Sequence, residues 1–331
     1  MKESVKEKKS ISRKAIIIVS IAVVALMAGI VALYFSYIKP EHECAIANYL
    51  KTVQEYTVTL SSFDAKCEQF ESVNARLENE ITELQDVLSY DDEPYDKDTI
   101  ILANDAINQG KVAIQEVPVL DFEREIKQVD DFFFLQINGI KEQDAIVKDR
   151  MEKLNKLTEE MIVPDYTEVI TVIHTAQTNL ENSIRQLEQV TDPTEAFVLG
   201  RIMEIKEKAG MVDVIALTED TDTENLIGKS GWYTSKIIFR HKDVKHHGLD
   251  SGLKNLAEIG NPAGGCIETY ETVEDAERRD AELEDMEGTV RSPGEHCVCG
   301  TIVVRVSEDM KTSTQKDLLE MIVDALLRLE D

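Results

Sequence analysis

Basic residues are scarce in this 331-residue chain. Lys and Arg number 36 against 64 Asp and Glu, a formal net charge of −28. A surface this acidic repels nucleic acid and anionic lipid, and no basic stripe interrupts it, so a nucleic-acid partner is excluded. Cysteine is scarce too. Five residues in a chain of this length make no disulfide framework, and the odd count leaves one unpaired or intermolecular. The motifs of several enzyme classes are missing or broken. There is no H-E-x-x-H and no G-x-S-x-G. Gly228-Lys229-Ser230 has Thr223 where a phosphate-binding loop needs its leading Gly. Ser313-Thr314-Gln315-Lys316 lacks the companion motifs of the S-x-x-K hydrolases and reads as a helix start. The expectation is no enzyme, no catalytic residues and no cofactor; carboxylate chemistry, which leaves little signature, is the one enzymatic route left open.

What the chain does have is a charge-free run from Ala15 to Ile38, AIIIVSIAVVALMAGIVALYFSYI. At ~1.5 Å per residue it reaches ~36 Å as a helix, enough for a ~30 Å hydrocarbon core with some tilt. It is too long for the apolar stretch of a cleaved signal and exits through Tyr34, Phe35, Tyr37 and Lys39 rather than through a small-residue cleavage site. Residues 1–14 carry six Lys/Arg and two Glu. That basic flank predicts a cytoplasmic tail, a transmembrane helix over 15–38 and everything after it outside the cell membrane, as an extracytoplasmic ectodomain on a signal-anchor.

From Ile46 to Leu88 a heptad runs without a slip. Its a positions are Ile46, Val53, Leu60, Cys67, Asn74, Ile81 and Leu88; its d positions are Tyr49, Tyr56, Phe63, Phe70, Leu77 and Leu84. In a parallel dimer Asn74 would fix the register and Cys67 would meet its twin, which outside the cytoplasm could oxidise. The apolar stripe is wider than a two-stranded seam needs, with Leu50, Val73 and Val87 flanking it, so an intrachain bundle competes. Neighbours for it are spaced as helices: Ile100 to Val117, then Phe122, Ile126, Val129, Phe133, Ile137 and Ile140 behind an Asp121 cap, then Tyr166 to Leu187. Turns at 91–94, Pro118 and Pro164 would bring successive helices back antiparallel. Residues 39–190 are thus predicted to form a helical coiled-coil or bundle stalk.

Beyond Thr191-Asp192-Pro193 the pattern becomes mixed. A helix over 194–208, strands at 212–217, 235–239, 266–271 and 296–306, and helices at 272–286 and 312–327 give the order αβββαβα. Residues 191–331 are predicted to form a small α+β domain with helices on one face of the sheet. Phe197-Val198, Ala216-Leu217-Thr218-Glu219-Asp220, Gly231 with Tyr233-Thr234, Gly264-Gly265-Cys266-Ile267-Glu268 and Gly300-Thr301 with Arg305 resemble a recurring C-terminal domain of single-span bacterial surface proteins often labelled EbhA-like. The resemblance covers roughly 187–331. It implies this architecture and a Gram-positive-type cell envelope, and no activity or catalytic residue. Where that family often has Asp-Pro-Asn-Gly, this chain has Thr221-Asp222-Thr223-Glu224-Asn225.

Three sets of residues have ligand-like spacing. Asp220, Asp222, Glu224 and Asn225 put hard oxygens in one loop, as Ca²⁺ wants, but the Gly and the final Glu of an EF-hand loop are missing, and a solvated acidic loop fits as well. His296, Cys297, Cys299 and Cys266 supply soft zinc ligands, a disulfide, or simply buried thiols. His241, His246 and His247 lie near Asp243 and Asp250 in a Lys-rich loop. The sequence therefore points to a mainly α, membrane-anchored extracytoplasmic structural or interaction protein. Its expected partners are the membrane, through one helix, and either an envelope protein or a second copy. A ligand- or Ca²⁺-sensing ectodomain is the alternative, and an envelope hydrolase a more distant one.

Overall fold

Helix dominates the computed structural model, 61% of it, with a small antiparallel sheet towards the C-terminus; the structure describes residues 13–129, 136–289 and 292–330. The basic tail before Arg13 lies outside the described residues. One uninterrupted helical path begins with α1 (Arg13–Leu33), widens into a π-helical turn at Tyr34–Ile38 and continues as α2 (Lys39–Ser89). The π turn has a cause next to it: Pro40 has no N–H for Ser36 and its ring crowds that carbonyl, which a wider turn relieves. Every residue from Ser20 to Leu33 is exposed, and the continuous helix that carries them is long and apolar enough to cross a membrane.

By internal packing the chain divides into two units, Met1–Arg76 with Ile114–Tyr166, and Leu77–Ala113 with Thr167–Asp331. The division falls inside α2, and residue 191, where the sequence pattern changes, lies inside the second unit.

In the first unit the d residues Tyr49, Tyr56, Phe63 and Phe70 are buried, and their partners come from the same chain. Helix α4 (Ile137–Glu160) presents its own seven-residue series, Ile140, Val147 and Leu154, followed by Met161 just beyond its end. The predicted helix over 121–140 does not form in its first part. Residues 123 and 125–128 have no regular structure, and the chain there returns alongside α2 in extended form. Tyr49 donates its hydroxyl to the Lys127 carbonyl (2.6 Å) and Tyr56 to that of Arg124 (3.2 Å). Arg150 Nη1 donates to the carbonyls of Glu123 and Glu125, both at 2.9 Å. These donors satisfy backbone groups that a helix would otherwise pair, while Phe122, Ile126 and Val129 still reach the core. Phe133 lies outside the described residues.

The lengths agree. Gln115 pairs with Asn74 and Lys127 with Tyr49, so 12 residues of return path match 25 residues of helix. Both distances come to ~38 Å, at ~1.5 Å per helical and ~3.2 Å per extended residue. Because the return is extended, α4 runs parallel to α2, not antiparallel as short turns would require. Lys141 meets Glu41 (2.8 Å), Asp144 accepts from Thr52 (2.6 Å), and Lys66 Nζ donates to the carbonyls of Thr158 (2.7 Å) and Met161 (3.0 Å).

The two residues expected at a seam between chains are used within this one. Asn74 Nδ2 donates to the Gln115 carbonyl (2.7 Å) and its Oδ1 accepts from the Tyr166 hydroxyl (2.8 Å). Cys67 is half-buried against the same core, near the Pro118 carbonyl.

In the second unit α3 (Asp98–Ala113) and α5 (Thr167–Gln189) pack with the end of α2. Their approach is close enough that a Cβ on Gly110 would sit 2.8 Å from Ile81 Cδ1 and 3.1 Å from Ile173 Cδ1. The sheet follows α6 (Glu195–Ile205), with a short α7 (His247–Asp250) in one of its connections. Its strands are β1 (Met211–Ala216), β2 (Ser235–His241), β3 (Gly264–Thr269), β4 (His296–Cys299) and β5 (Ile302–Val306), in the order β1-β2-β3-β5-β4, every neighbouring pair antiparallel. The predicted single strand over 296–306 is a hairpin, because Gly300 takes φ +61° at the first position of a two-residue loop.

Helices cover both faces of the sheet, not one. On the first, Ile237, Phe239, Ile267, Ile302, Val304 and Val306 meet α6 and α10 (Thr312–Leu327) in an apolar core. On the second, α9 (Val273–Glu284) covers Val303 and Val298, and α8 (Leu256–Ile259) covers Ile238 and Cys266. Between those two small apolar clusters the second face is polar.

Candidate functional site

Strand β3 is buried along its whole length, and its neighbours β2 and β5 are largely apolar, with Lys236 and Arg240 of β2 and Arg305 of β5 on the second face. Register aligns them: Lys236 is opposite Glu268 and Cys266 is opposite Arg305. Glu268 is completely buried. Its Oε1 lies 3.1 Å from Lys236 Nζ and accepts from Arg305 Nη1 at 3.2 Å. Its Oε2 accepts from Arg279 Nε of α9 at 3.2 Å and from the Tyr270 hydroxyl at 3.1 Å. Three cations and a phenol thus converge on one carboxylate.

The network extends from both ends. Lys236 Nζ donates to Glu224 Oε2 (2.7 Å) and lies 4.7 Å from the centre of the Tyr233 ring. The Tyr233 hydroxyl reaches Asp222 Oδ1 and Glu224 Oε2, both at 3.0 Å. Arg279 Nη1 donates to Glu282 (3.1 Å).

Burial by itself would push the Glu268 carboxyl up, but Lys236, Arg305 and Arg279 outweigh it and hold its pKa at about 2. Burial opposes the charge on Lys236, and Glu268 and Glu224 reverse the balance, raising its pKa above the ordinary lysine value. Tyr270 is pushed up by burial and by the Glu268 charge, so it stays a phenol and a donor. A buried ion cluster contributes little net stability beside an apolar core of the same shape, which makes this constellation a candidate for function.

The acidic loop is organised by Asp222, which is buried. Its Oδ1 accepts from the Glu224 N–H (3.1 Å), and its Oδ2 from the N–H groups of Leu226 (2.6 Å) and Ile227 (3.0 Å). Burial raises its pKa, and those donors together with Tyr233 lower it by more. Asp220 and Asn225 are exposed, and Asn225 adopts φ +53°. The loop thus holds its shape through Asp222, with Glu224 turned to Lys236.

The four soft candidates are divided by the sheet. Cys266 is opposite Arg305 and Arg305 opposite His296, all on the second face, whereas Cys297 and Cys299 point into the apolar core on the first. His296 Nδ1 lies 2.7 Å from Asp280 Oδ1. Burial pushes the Cys299 thiol up to about 12, helped by Cys297. Burial and Asp280 push Cys297 up to about 11. All five cysteines are free thiols. His241 is buried and its Nδ1 accepts from the Asp243 N–H (3.2 Å), while Asp250 pairs with Arg240; the His247 side chain lies outside the described residues. Among the described residues, no group of three or more His, Cys, Asp or Glu is placed to hold a metal ion.

The Glu268 cluster was not singled out from the sequence. Its signal was charge inside three otherwise apolar strands: Lys236 in S-K-I-I-F-R-H, Glu268 in G-G-C-I-E-T and Arg305 in I-V-V-R-V. No protein-family model, curated protein or solved structure matches the chain.

Proposed function

We propose that this is a single-span membrane protein which presents its acidic bulk, ending in the α+β domain, outside the cell membrane, where it binds other envelope components and catalyses no reaction. The observation that carries this reading is the apolar helix α1, exposed from Ser20 to Leu33 and continuous with α2. Orientation rests on the six Lys/Arg of the first 14 residues. The resemblance of 187–331 to EbhA-like surface proteins supports the same reading. The charged network around Glu268 supports a second one, in which the domain senses a small ligand.

In-cell photo-crosslinking tests the interaction role. With a crosslinkable residue in place of Trp232, which is 37% exposed at the edge of the domain, the full-length protein is expected to capture a defined envelope protein or a second copy. A protein that stays monomeric and uncrosslinked at Trp232 and at other exposed positions of the domain would remove this role.

A further inference from the structure

The second face of the sheet is open between its two small apolar clusters. The opening is a cavity of about 330 Å³, near the lower end of the range for small-molecule sites. Its lining mixes two cations, Lys236 and Arg305, with the carboxylates Asp222, Glu224 and Glu258, and includes Asn261. Two of the lining residues each have a buried atom without a hydrogen-bond partner, the donor Nε of Arg305 and the acceptor Oδ1 of Asn261. Buried polar atoms are nearly always paired, so each of these two is an atom whose pairing a bound group could complete.

Charge narrows the ligand. A simple anion entering towards Lys236 and Arg305 also faces three carboxylates, and a simple cation meets two positive side chains. A molecule bearing both charges suits a lining that carries both signs. The two cations are already partly committed, Lys236 to Glu268 and Glu224 and Arg305 to Glu268, and that fixes their positions. Glu258 is fixed as well, accepting from the Asn255 N–H at 2.8 Å in the capping box of α8. The Glu224 side chain is 54% exposed, and Lys236 and Tyr233 hold its carboxylate.

We infer that this cavity is a binding site for a small zwitterion of the free amino-acid type, its carboxylate towards Arg305 and Lys236 and its ammonium towards Glu224 and Glu258. The inference concerns the cavity alone and holds whichever way the domain faces.

Titration calorimetry on the full-length protein in detergent micelles tests it, with each L-amino acid, D-alanine and D-glutamate as probes. At least one is expected to bind with a Kd below about 1 mM, a modest affinity for so small a ligand. Its N-acetyl form and its decarboxylated amine should each bind at least about tenfold more weakly, since each lacks one charge-assisted contact. Ala257→Trp, which fills the cavity while leaving every residue of the Glu268 cluster in place, should abolish binding and leave the thermal melt in place. Should that variant unfold, Glu258→Gln, which keeps the cap but not the charge, should weaken binding about tenfold. Absence of binding by every amino acid tested, equal binding of the acetylated or amine form, or full affinity in both variants would overturn the inference.

Discussion

Replacing Glu268 with alanine should destabilise the second unit by about 3–5 kcal/mol, because it leaves Lys236, which is buried, and Arg279 and Arg305, which are half-buried, without their shared counter-charge. The loss is readable in isolation. Trp232 is the only tryptophan and lies in this unit, so its fluorescence through a urea titration reports this transition. Glu268→Gln keeps the shape and should still destabilise, by less than alanine. The two proteins should also differ with pH. The folded carboxyl, at about 2, is more acidic than its ordinary 4.5, so as the pH falls the unfolded chain takes up this proton first. The stabilisation is complete above about pH 5 and disappears as the pH falls towards 2. The wild type should show that loss over the window, and Glu268→Gln should lack this part of it. Equal urea midpoints for wild type and Glu268→Ala would show that the cluster holds nothing together.

Deleting residues 13–38 should move the protein from the carbonate-resistant membrane pellet almost entirely to the soluble fraction. The Ile, Val, Leu and Phe residues of the run contribute about 5 kcal/mol towards insertion on the scale for central helix positions. Paired arginines at Val23 and Leu26, each adding about 2.5–3.5 kcal/mol against insertion, should have the same effect without shortening the chain. Both residues are exposed in the structure, so neither change removes a packing contact. Membrane retention of the deleted form would place attachment elsewhere in the chain.

How much of this was legible in the sequence depended on how local each feature is. The apolar run needs only its own residues to be read. The heptad over 46–88 identified the buried face of α2 correctly, since Tyr49, Tyr56, Phe63, Phe70, Leu77 and Leu84 are all buried. It did not say against what, because periodicity fixes a face and not a partner. The extended return was misread for a related reason: Phe122, Ile126 and Val129 are spaced as on a helix, and the tyrosine hydroxyls that hold the segment straight lie some 70 residues away. The hairpin at Gly300 was hidden by the continuous apolar run that follows it. Helices on both sheet faces, and with them the site, were out of reach for the strongest reason. Lys236, Glu268, Arg279 and Arg305 come from three strands and a helix, and only the register brings them together.

The central claim is that the chain beyond α1 stands outside the membrane, and Cys44 tests it most directly. It is exposed six residues past the apolar run, while the other four cysteines are half-buried or buried. Intact cells treated with a membrane-impermeant maleimide should give labelled Cys44, with no further gain at that residue on permeabilisation and no label there in Cys44→Ser. Labelling of Cys44 only after the membrane is opened would contradict the account.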